Sequence, residues 1–343
     1  MPPLAMAISD WSPWVANQVA LTSRGMMFLG LPRYDATAAN PSLARQRPDG
    51  VFAPFPGNAW NEWKIGDSGR DAFVYLNSVH IFADDTVWCV DQGAAGGEAL
   101  PRPGAQKLVR LDPESGAVLD VMRFNDTILP AGARMNDLRF HGPMMYVTDS
   151  GLGGLIVHDM SSGVTRRRLS GRRELMASDA AVPALLQRGK DQPPFRPPHS
   201  DMIEITADGA WLYWAAPTGP LYRIATRSLN DPALSDDALA ARIEKVADIS
   251  FSSGCTIDTL GNLYFSETAT GQITLLAPSG RKAVLASDPD LIKPDGSFIN
   301  VDRRLYIPVK QSRRSNAFPI YAIALPEAFD GIKLGGAVTG LPI

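Results

Sequence analysis

The sequence predicts an all-β fold, a single six-bladed β-propeller of four-stranded antiparallel blades that spans residues 1–343. Three observations predict it: a hairpin pattern that recurs six times, tight turns between the paired strands, and few helix signals. Antiparallel four-stranded units repeated around an axis are propeller blades. With 45% hydrophobic and 20% charged residues, the composition is that of a protein with a large core.

The second strand of each predicted hairpin carries an aromatic residue near its start. These residues are Phe28, Trp88, Tyr146, Tyr213, Tyr264 and Tyr306. Turn signals such as Ala207-Asp208-Gly209 stand before them, with the length that hairpins use. Third strands are predicted at 106–111, 154–158, 220–224, 272–276 and 319–323, and fourth strands at 118–124 and 165–169.

Helix signals are confined to two segments, residues 173–188 and 236–246. Both are predicted as short helices inserted between blades. An α/β fold is disfavoured because the crossover helices that it needs are missing.

One polar position recurs at the start of each first strand, 10 to 12 residues before the aromatic residue. It is occupied by Asn17, Asn77, Asn136, Asp201, Ser253 and Asp295. The first strand of a propeller blade lines the central channel, so equivalent positions form a ring, here called the channel ring. Asn and Asp are depleted in strands, which favours a functional ring. Alternatively, these side chains cap strand starts by bonding turn backbone.

The oxygen-rich channel ring favours a hard divalent cation, Ca²⁺ before Mg²⁺, because it contains no His or Cys. The predicted metal ligands are Asn136, Asp201 and Asp295. The predicted substrate-binding residues are Asn17, Asn77, Ser253 and Lys310. His199 precedes the ring residue Asp201 and is a candidate proton shuttle, or else a loop histidine after a proline-rich stretch.

Short motifs resemble the major royal jelly protein/yellow family. They are Phe-Leu-Gly-Leu-Pro-Arg-Tyr at 28–34, Val-Trp-Cys-Val-Asp-Gln-Gly at 87–93, Asn136-Asp137, and the segments 146–150 and 155–159. They arrive in the family's order between about Gly25 and Leu325. The resemblance implies a six-bladed propeller that tautomerises dopachrome-like indoles or holds small ligands without catalysis.

A more distant resemblance is to the regucalcin–gluconolactonase group of six-bladed propellers. Pro294-Asp295-Gly296 is similar to that group's Pro-Asp-Gly, whose Asp binds the metal and serves as the base. The resemblance therefore implies Asp295 as the base, with Asp201 as second choice. Asn17 stands where the group has a Glu, and Ser253 replaces an acidic or amide position, which puts the lactonase mechanism in doubt.

Three functions remain open from the sequence. The first is a metal-dependent enzyme of lactonase or isomerase type, with Asp295, Asp201 and His199 as catalytic candidates. The alternative is a non-catalytic small-molecule-binding propeller of the yellow/royal jelly type. The third is a calcium-stabilised interaction platform.

Charge and composition exclude other partners. A net charge of −3 without a long basic tract predicts no nucleic-acid binding, and the absence of a long apolar run predicts no membrane span. Cys89 and Cys255 are predicted to be reduced and buried in different blades. Blade closure predicts a monomer. Residues 1–15 lack the pattern of a secretory signal, so the expected location is cytoplasmic if Met1 is the native start and periplasmic or secreted if a leader has been removed.

Overall fold

The structure, a computed structural model, describes residues 2–96, 98, 100–186, 195–313 and 316–339. It contains six four-stranded antiparallel sheets, and the inner strand of each contacts that of the next around the ring. The predicted six-bladed propeller is confirmed.

The first blades follow the chain in order after the N-terminal strand β1 (Ala7–Ser12). Blade 1 comprises β2 (Gln18–Leu21), β3 (Met27–Gly30), β4 (Leu43–Gln46) and β5 (Phe52–Pro54). Blade 2 comprises β6 (Leu76–Ile81), β7 (Val87–Asp91), β8 (Lys107–Leu111) and β9 (Val118–Met122). Blade 3 comprises β10 (Met135–His141), β11 (Met144–Asp149), β12 (Gly154–Asp159) and β13 (Thr165–Arg168).

The later blades repeat the same order. Blade 4 comprises β14 (Met202–Ile205), β15 (Trp211–Ala215), β16 (Leu221–Ala225) and β17 (Glu244–Ala247). Blade 5 comprises β18 (Ser252–Ile257), β19 (Leu263–Glu267), β20 (Gln272–Leu276) and β21 (Lys282–Ser287). Blade 6 contains β22 (Phe298–Ile299), β23 (Arg304–Pro308) and β24 (Phe318–Ala324), and a hairpin of β25 (Ala328–Phe329) and β26 (Ile332–Lys333) follows.

The N-terminal strand closes the propeller. Strand β1 pairs antiparallel with β24 and supplies the outermost strand of blade 6. The repeat pattern does not predict this pairing, because the two strands lie at opposite ends of the sequence. The closure joins the two ends of the described chain in one sheet.

The helix predictions are wrong in extent. In place of a helix at 173–188, the described residues form 3₁₀ turns at Arg173–Leu175, Asp179–Ala181 and Ala184–Leu186, and residues 187 and 188 lie outside the described part. The predicted 236–246 helix ends early, as α2 (Asp236–Ala240), because the following residues pair with β16 as strand β17. A helix α1 (Thr226–Asn230) and a 3₁₀ turn at Ala59–Asn61 were not predicted.

The six aromatic residues of the repeat are all buried, between 0% and 7% exposed, and they pack within and between blades. This burial explains why the repeat retains a large side chain at that position. Both cysteines are free and buried, Cys89 on β7 and Cys255 on β18, which confirms the prediction. Among the described residues, no helix is long and apolar enough to cross a membrane.

A buried ionic network fills the channel beyond the ring. The Arg139 guanidinium donates to Asp137 Oδ2 at 2.9 Å and to both carboxylate oxygens of Glu204 at 2.7 and 3.0 Å. Ser78 donates its hydroxyl hydrogen to Asp137 from the next blade. Because these groups satisfy one another, they link the inner strands of blades 2, 3 and 4.

Candidate active site at the central channel

The channel opens into a cavity of about 840 Å³ at the end where the inner strands begin. All six residues of the predicted channel ring line it, together with Lys310 and His199. The sequence-predicted site residues therefore share one cavity. Their individual roles stay predictions.

The asparagines of the ring form a chain of hydrogen bonds from blade to blade. Asn17 Nδ2 donates to the backbone carbonyl of Asn77 at 3.0 Å, and Asn77 Nδ2 donates to that of Asn136 at 3.1 Å. Asn136 Nδ2 in turn donates to Asp201 Oδ1 at 2.5 Å. The amides therefore fix neighbouring blades against one another, and the last of them orients a carboxyl group.

Close backbone contacts bring Asp295 into the channel. Asp295 donates its N–H to Pro308 O at 3.1 Å, and Gly296 donates its N–H to Asn17 O at 2.9 Å. A Cβ on the neighbouring Gly254 would lie 2.7 Å from the backbone Cα and N of Gly296, so a glycine at position 254 permits this close approach of the two segments. The Pro294-Asp295-Gly296 segment thus bridges blades 6 and 1 and presents a carboxylate that is 4% exposed.

Lys310 forms an ion pair with Asp295. Backbone pairing places the two together, since Pro294 pairs with Val309 and Lys310 N–H donates to Lys293 O at 3.2 Å. The Lys310 ammonium contacts Asp295 Oδ2 and lies 5.2 Å from the centre of the Tyr34 ring. Burial lowers the pKa of Lys310, but Asp295 and Tyr34 more than offset this and raise it, so the side chain stays charged.

Tyr34 connects this ion pair to the asparagine chain. Its hydroxyl donates to Asn17 Oδ1 at 2.7 Å, and its ring contacts Tyr75 edge-to-face at 5.9 Å. Desolvation raises the pKa of Tyr34, so the phenol remains a donor at neutral pH.

Asp201 is the second carboxyl group of the ring. Desolvation raises its pKa to about 8, and the negative charge of Asp295 adds to the rise, while Lys310 opposes it. Among the described residues, Asn136 is the hydrogen-bond partner of its side chain, and that contact engages Oδ1. Asp201 can therefore exchange a proton near neutral pH, with its second oxygen available to the cavity.

His199 lines the cavity near Asp201. Its Nδ1 accepts a hydrogen bond from Ala177 N–H at 3.1 Å, so the neutral ring carries its proton on Nε2. Desolvation lowers the pKa of His199, which keeps the ring neutral at pH 7. In this state Nε2–H can donate a hydrogen bond to a ligand, and Nε2 is not available as a base.

Four aromatic residues of the cavity were not predicted as site residues. Tyr34 and Tyr75 contribute to the wall from blades 1 and 2, and Phe195 and Phe251 form a tilted pair, 6.5 Å between ring centres, beside blades 4 and 5. Tyr75 and Phe251 directly precede β6 and β18, a signal that could have placed them at the mouth, while Tyr34 and Phe195 lie farther from the strands.

The geometry around Lys310 does not fit the predicted divalent cation. The Asp295 carboxylate is engaged by an ammonium group, and Ser253 shares a hydrogen bond with Thr268. The amide nitrogen of Asn136, and not its oxygen, faces Asp201. Within the described ranges, no three His, Cys, Asp or Glu side chains form a metal site, and a site that includes Asn136 would need its amide oxygen to face the ion.

No protein-family model and no curated protein matches this sequence. Solved structures do match it over nearly their whole length. The calcium-binding protein regucalcin from Agrobacterium tumefaciens is 12% identical with a TM-score of 0.57, covering 98% of each chain. A gluconolactonase from Xanthomonas campestris is 14% identical with a TM-score of 0.56, covering 95% of this chain and 96% of its own. A luciferin-regenerating enzyme is 9% identical with a TM-score of 0.60, covering 98% and 99%.

At sequence identities this low, the structural matches establish the fold alone. The matches agree with the distant resemblance to regucalcin–gluconolactonase propellers at the level of architecture. The resemblance to major royal jelly and yellow proteins stays a prediction from its motifs.

Proposed function

We propose that this protein is a small-molecule hydrolase that opens lactones in the central channel, with Asp201 as the general base. The observation that carries the proposal is the placement of Asp201 beside the Asp295–Lys310 pair in one cavity. A carboxyl group that titrates near neutral pH is suited to proton transfer. The fold shared with a gluconolactonase supports the same reaction class.

Asp201 is favoured over Asp295, the base implied by the sequence resemblance, because the two carboxyl groups have different partners. Burial raises the pKa of Asp295, but the Lys310 ammonium opposes that rise and occupies Oδ2, so this carboxylate is less available to take a proton. Asp201 is held by a single amide, which orients it. Asp295 is then a positioning residue for Lys310.

Water, the lactone and the Asp201 carboxylate account for every bond and proton that changes in the reaction. Asp201 removes a proton from water as the water oxygen bonds to the lactone carbonyl carbon. The tetrahedral intermediate collapses, the bond from that carbon to the ring oxygen breaks, and the departing alkoxide takes the proton back from Asp201. The product is the open hydroxy acid, and Asp201 is again a carboxylate.

The cavity walls favour a flat cyclic substrate. The Tyr34–Tyr75 pair and the Phe195–Phe251 pair both line the cavity, so aromatic surface is available to a ring system bound there. A benzo-fused lactone such as dihydrocoumarin matches this shape better than a polyhydroxylated sugar lactone.

The test is hydrolysis of a lactone panel, followed with a pH indicator and including dihydrocoumarin and gluconolactone. We expect wild-type protein to hydrolyse at least one member and Asp201→Asn to lose about 10²–10⁴-fold in kcat, the usual effect of removing an acid–base group. Asp248→Asn is the matched control, because that carboxylate is 80% exposed on the surface.

Two outcomes would contradict the proposal. If Asp201→Asn retains wild-type kcat, Asp201 is not the base. If panel members raise the melting temperature without being hydrolysed, the protein binds its ligand without this catalysis, as in the alternative drawn from the sequence.

A further inference from the structure

The Lys310 ammonium lies in the part of the channel where the sequence predicts a metal ion. Lys310 belongs to the segment after β23 and is fixed by backbone pairing to the Lys293–Gly296 segment. Lys293 has a φ of 53°, in the left-handed region that a residue before proline rarely adopts. Such strain persists where the surrounding structure holds it in place. Here the pairing of Pro294 with Val309 and the hydrogen bond from Lys310 N–H to Lys293 O hold the segment that carries Asp295.

Both carboxyl groups of the channel ring have partners within the protein. Asp295 contacts the Lys310 ammonium directly, and Asp201 accepts a hydrogen bond from Asn136 Nδ2. A divalent cation brought to the same oxygens would meet the ammonium at close range, where like charges repel. The Lys310 side chain is 25% exposed and lines the cavity.

We propose that the Lys310 ammonium performs the electrophilic role predicted for a metal ion, binding the carbonyl oxygen of the substrate and stabilising the oxyanion, so that the enzyme works without a metal. Lys310 is then a catalytic residue and Asp295 holds it in place. The catalytic role of Lys310 rests on the proposed lactone hydrolysis. The exclusion of a cation by the Lys310 ammonium can be tested without any enzyme activity.

Calcium titration tests the exclusion independently of activity. Wild-type protein and Lys310→Met are stripped with EDTA and titrated with CaCl₂ by calorimetry, with melting temperatures measured in parallel. We expect no calcium binding by the wild type. Lys310→Met frees the Asp295 carboxylate beside Asp201 and Asn136, and we expect it to bind calcium and to melt at a higher temperature when calcium is present.

Lys310→Arg is the matched variant, because it keeps the positive charge and changes its shape. We expect it to exclude calcium as the wild type does. If Lys310→Met does not fold, the wild type and the arginine variant still decide the question, since both must lack bound metal and both must be unaffected by EDTA.

Kinetics test the catalytic part. On the best lactone of the panel, Lys310→Met should lower kcat about 10²–10³-fold, the usual effect of removing one oxyanion donor, and the arginine variant should lose less. EDTA should leave wild-type kcat unchanged.

Three outcomes would overturn the claim that Lys310 takes the place of a cation. They are stoichiometric metal in the purified wild type, loss of activity with EDTA, and a folded Lys310→Met variant that binds no calcium. Wild-type kcat in the methionine variant would overturn its catalytic role. If no lactone is hydrolysed, the proposed function fails, while the calcium titration still decides whether Lys310 excludes a cation.

Discussion

Two lysine–aspartate pairs of this protein have the same chemistry and opposite surroundings. Lys107 and Asp91 in blade 2 are both 0% exposed, and the Lys107 ammonium also donates to the carbonyl oxygens of Gly69, Ala72 and Ala105. Asp91 accepts three backbone N–H groups, from Val74, Tyr75 and Gly93. The Lys310–Asp295 pair instead lines a cavity of about 840 Å³.

The difference separates a structural ion pair from a reactive one. A buried charge whose hydrogen-bonding capacity is filled by backbone groups has nothing left for a ligand, and it holds loops in place. A charge that is held on one side and faces a cavity on the other can bind a substrate. The following predictions test this contrast, from the largest expected effect to the smallest.

Removing the amine of Lys107 should strongly destabilise the fold. Lys107→Met leaves the Asp91 carboxylate buried without a counter-charge, and breaking such a pair costs about 3–5 kcal/mol of unfolding free energy. Urea denaturation measures the loss, with Lys245→Met, at a 51% exposed side chain, as the control. A loss below about 1 kcal/mol, the range of surface ion pairs, would remove the distinction between the two pairs.

The activity should rise with pH as Asp201 loses its proton. For a base with a pKa of about 8, the ionised fraction and therefore kcat/KM should increase about tenfold between pH 7 and pH 9. A pH profile of lactone hydrolysis measures it. A rate that does not change across this range would contradict the assignment of Asp201.

Asp295→Asn should move that profile to lower pH. The change removes the negative charge that raises the pKa of Asp201 and leaves the Lys310 ammonium, which lowers it. The midpoint of kcat/KM should therefore fall below the wild-type value. A midpoint that rises would mean that the two carboxyl groups do not interact as the geometry indicates.

Lys310→Met should cost less stability than Lys107→Met, because the Lys310 side chain is 25% exposed and the pair lines a cavity, whereas Lys107 and Asp91 are both 0% exposed. Urea denaturation of this variant beside Lys107→Met gives the comparison directly. Equal losses in the two variants would show that both pairs are structural.

Tyr34→Phe should have the smallest effect. It removes the hydrogen bond to Asn17 Oδ1 and keeps the ring next to Lys310. One neutral hydrogen bond contributes about 1 kcal/mol, so KM should change about fivefold, with little change in kcat. A change above a hundredfold in kcat would instead assign the phenol a part in proton transfer.

The sequence by itself determined the propeller, the position of the second strands and the six residues of the channel ring. It could do so because each blade is built from neighbouring hairpins, so hydrophobic alternation, turn residues and the buried aromatic residue repeat locally along the chain. The inward position of Asn17 and Asn136 follows from that register alone.

Only the tertiary structure decided which side chains of the ring pair with one another. The bond from Asn136 to Asp201 joins two blades, and the closure of blade 6 by β1 joins segments at opposite ends of the sequence. The contact of Lys310 with Asp295 lies within one blade and depends on side-chain conformation. Oxygen atoms at equivalent positions are compatible both with a metal ion and with an ammonium group. Which of the two the ring accommodates depends on the side-chain conformation of Lys310, which the backbone pairing brings beside Asp295 but does not itself determine.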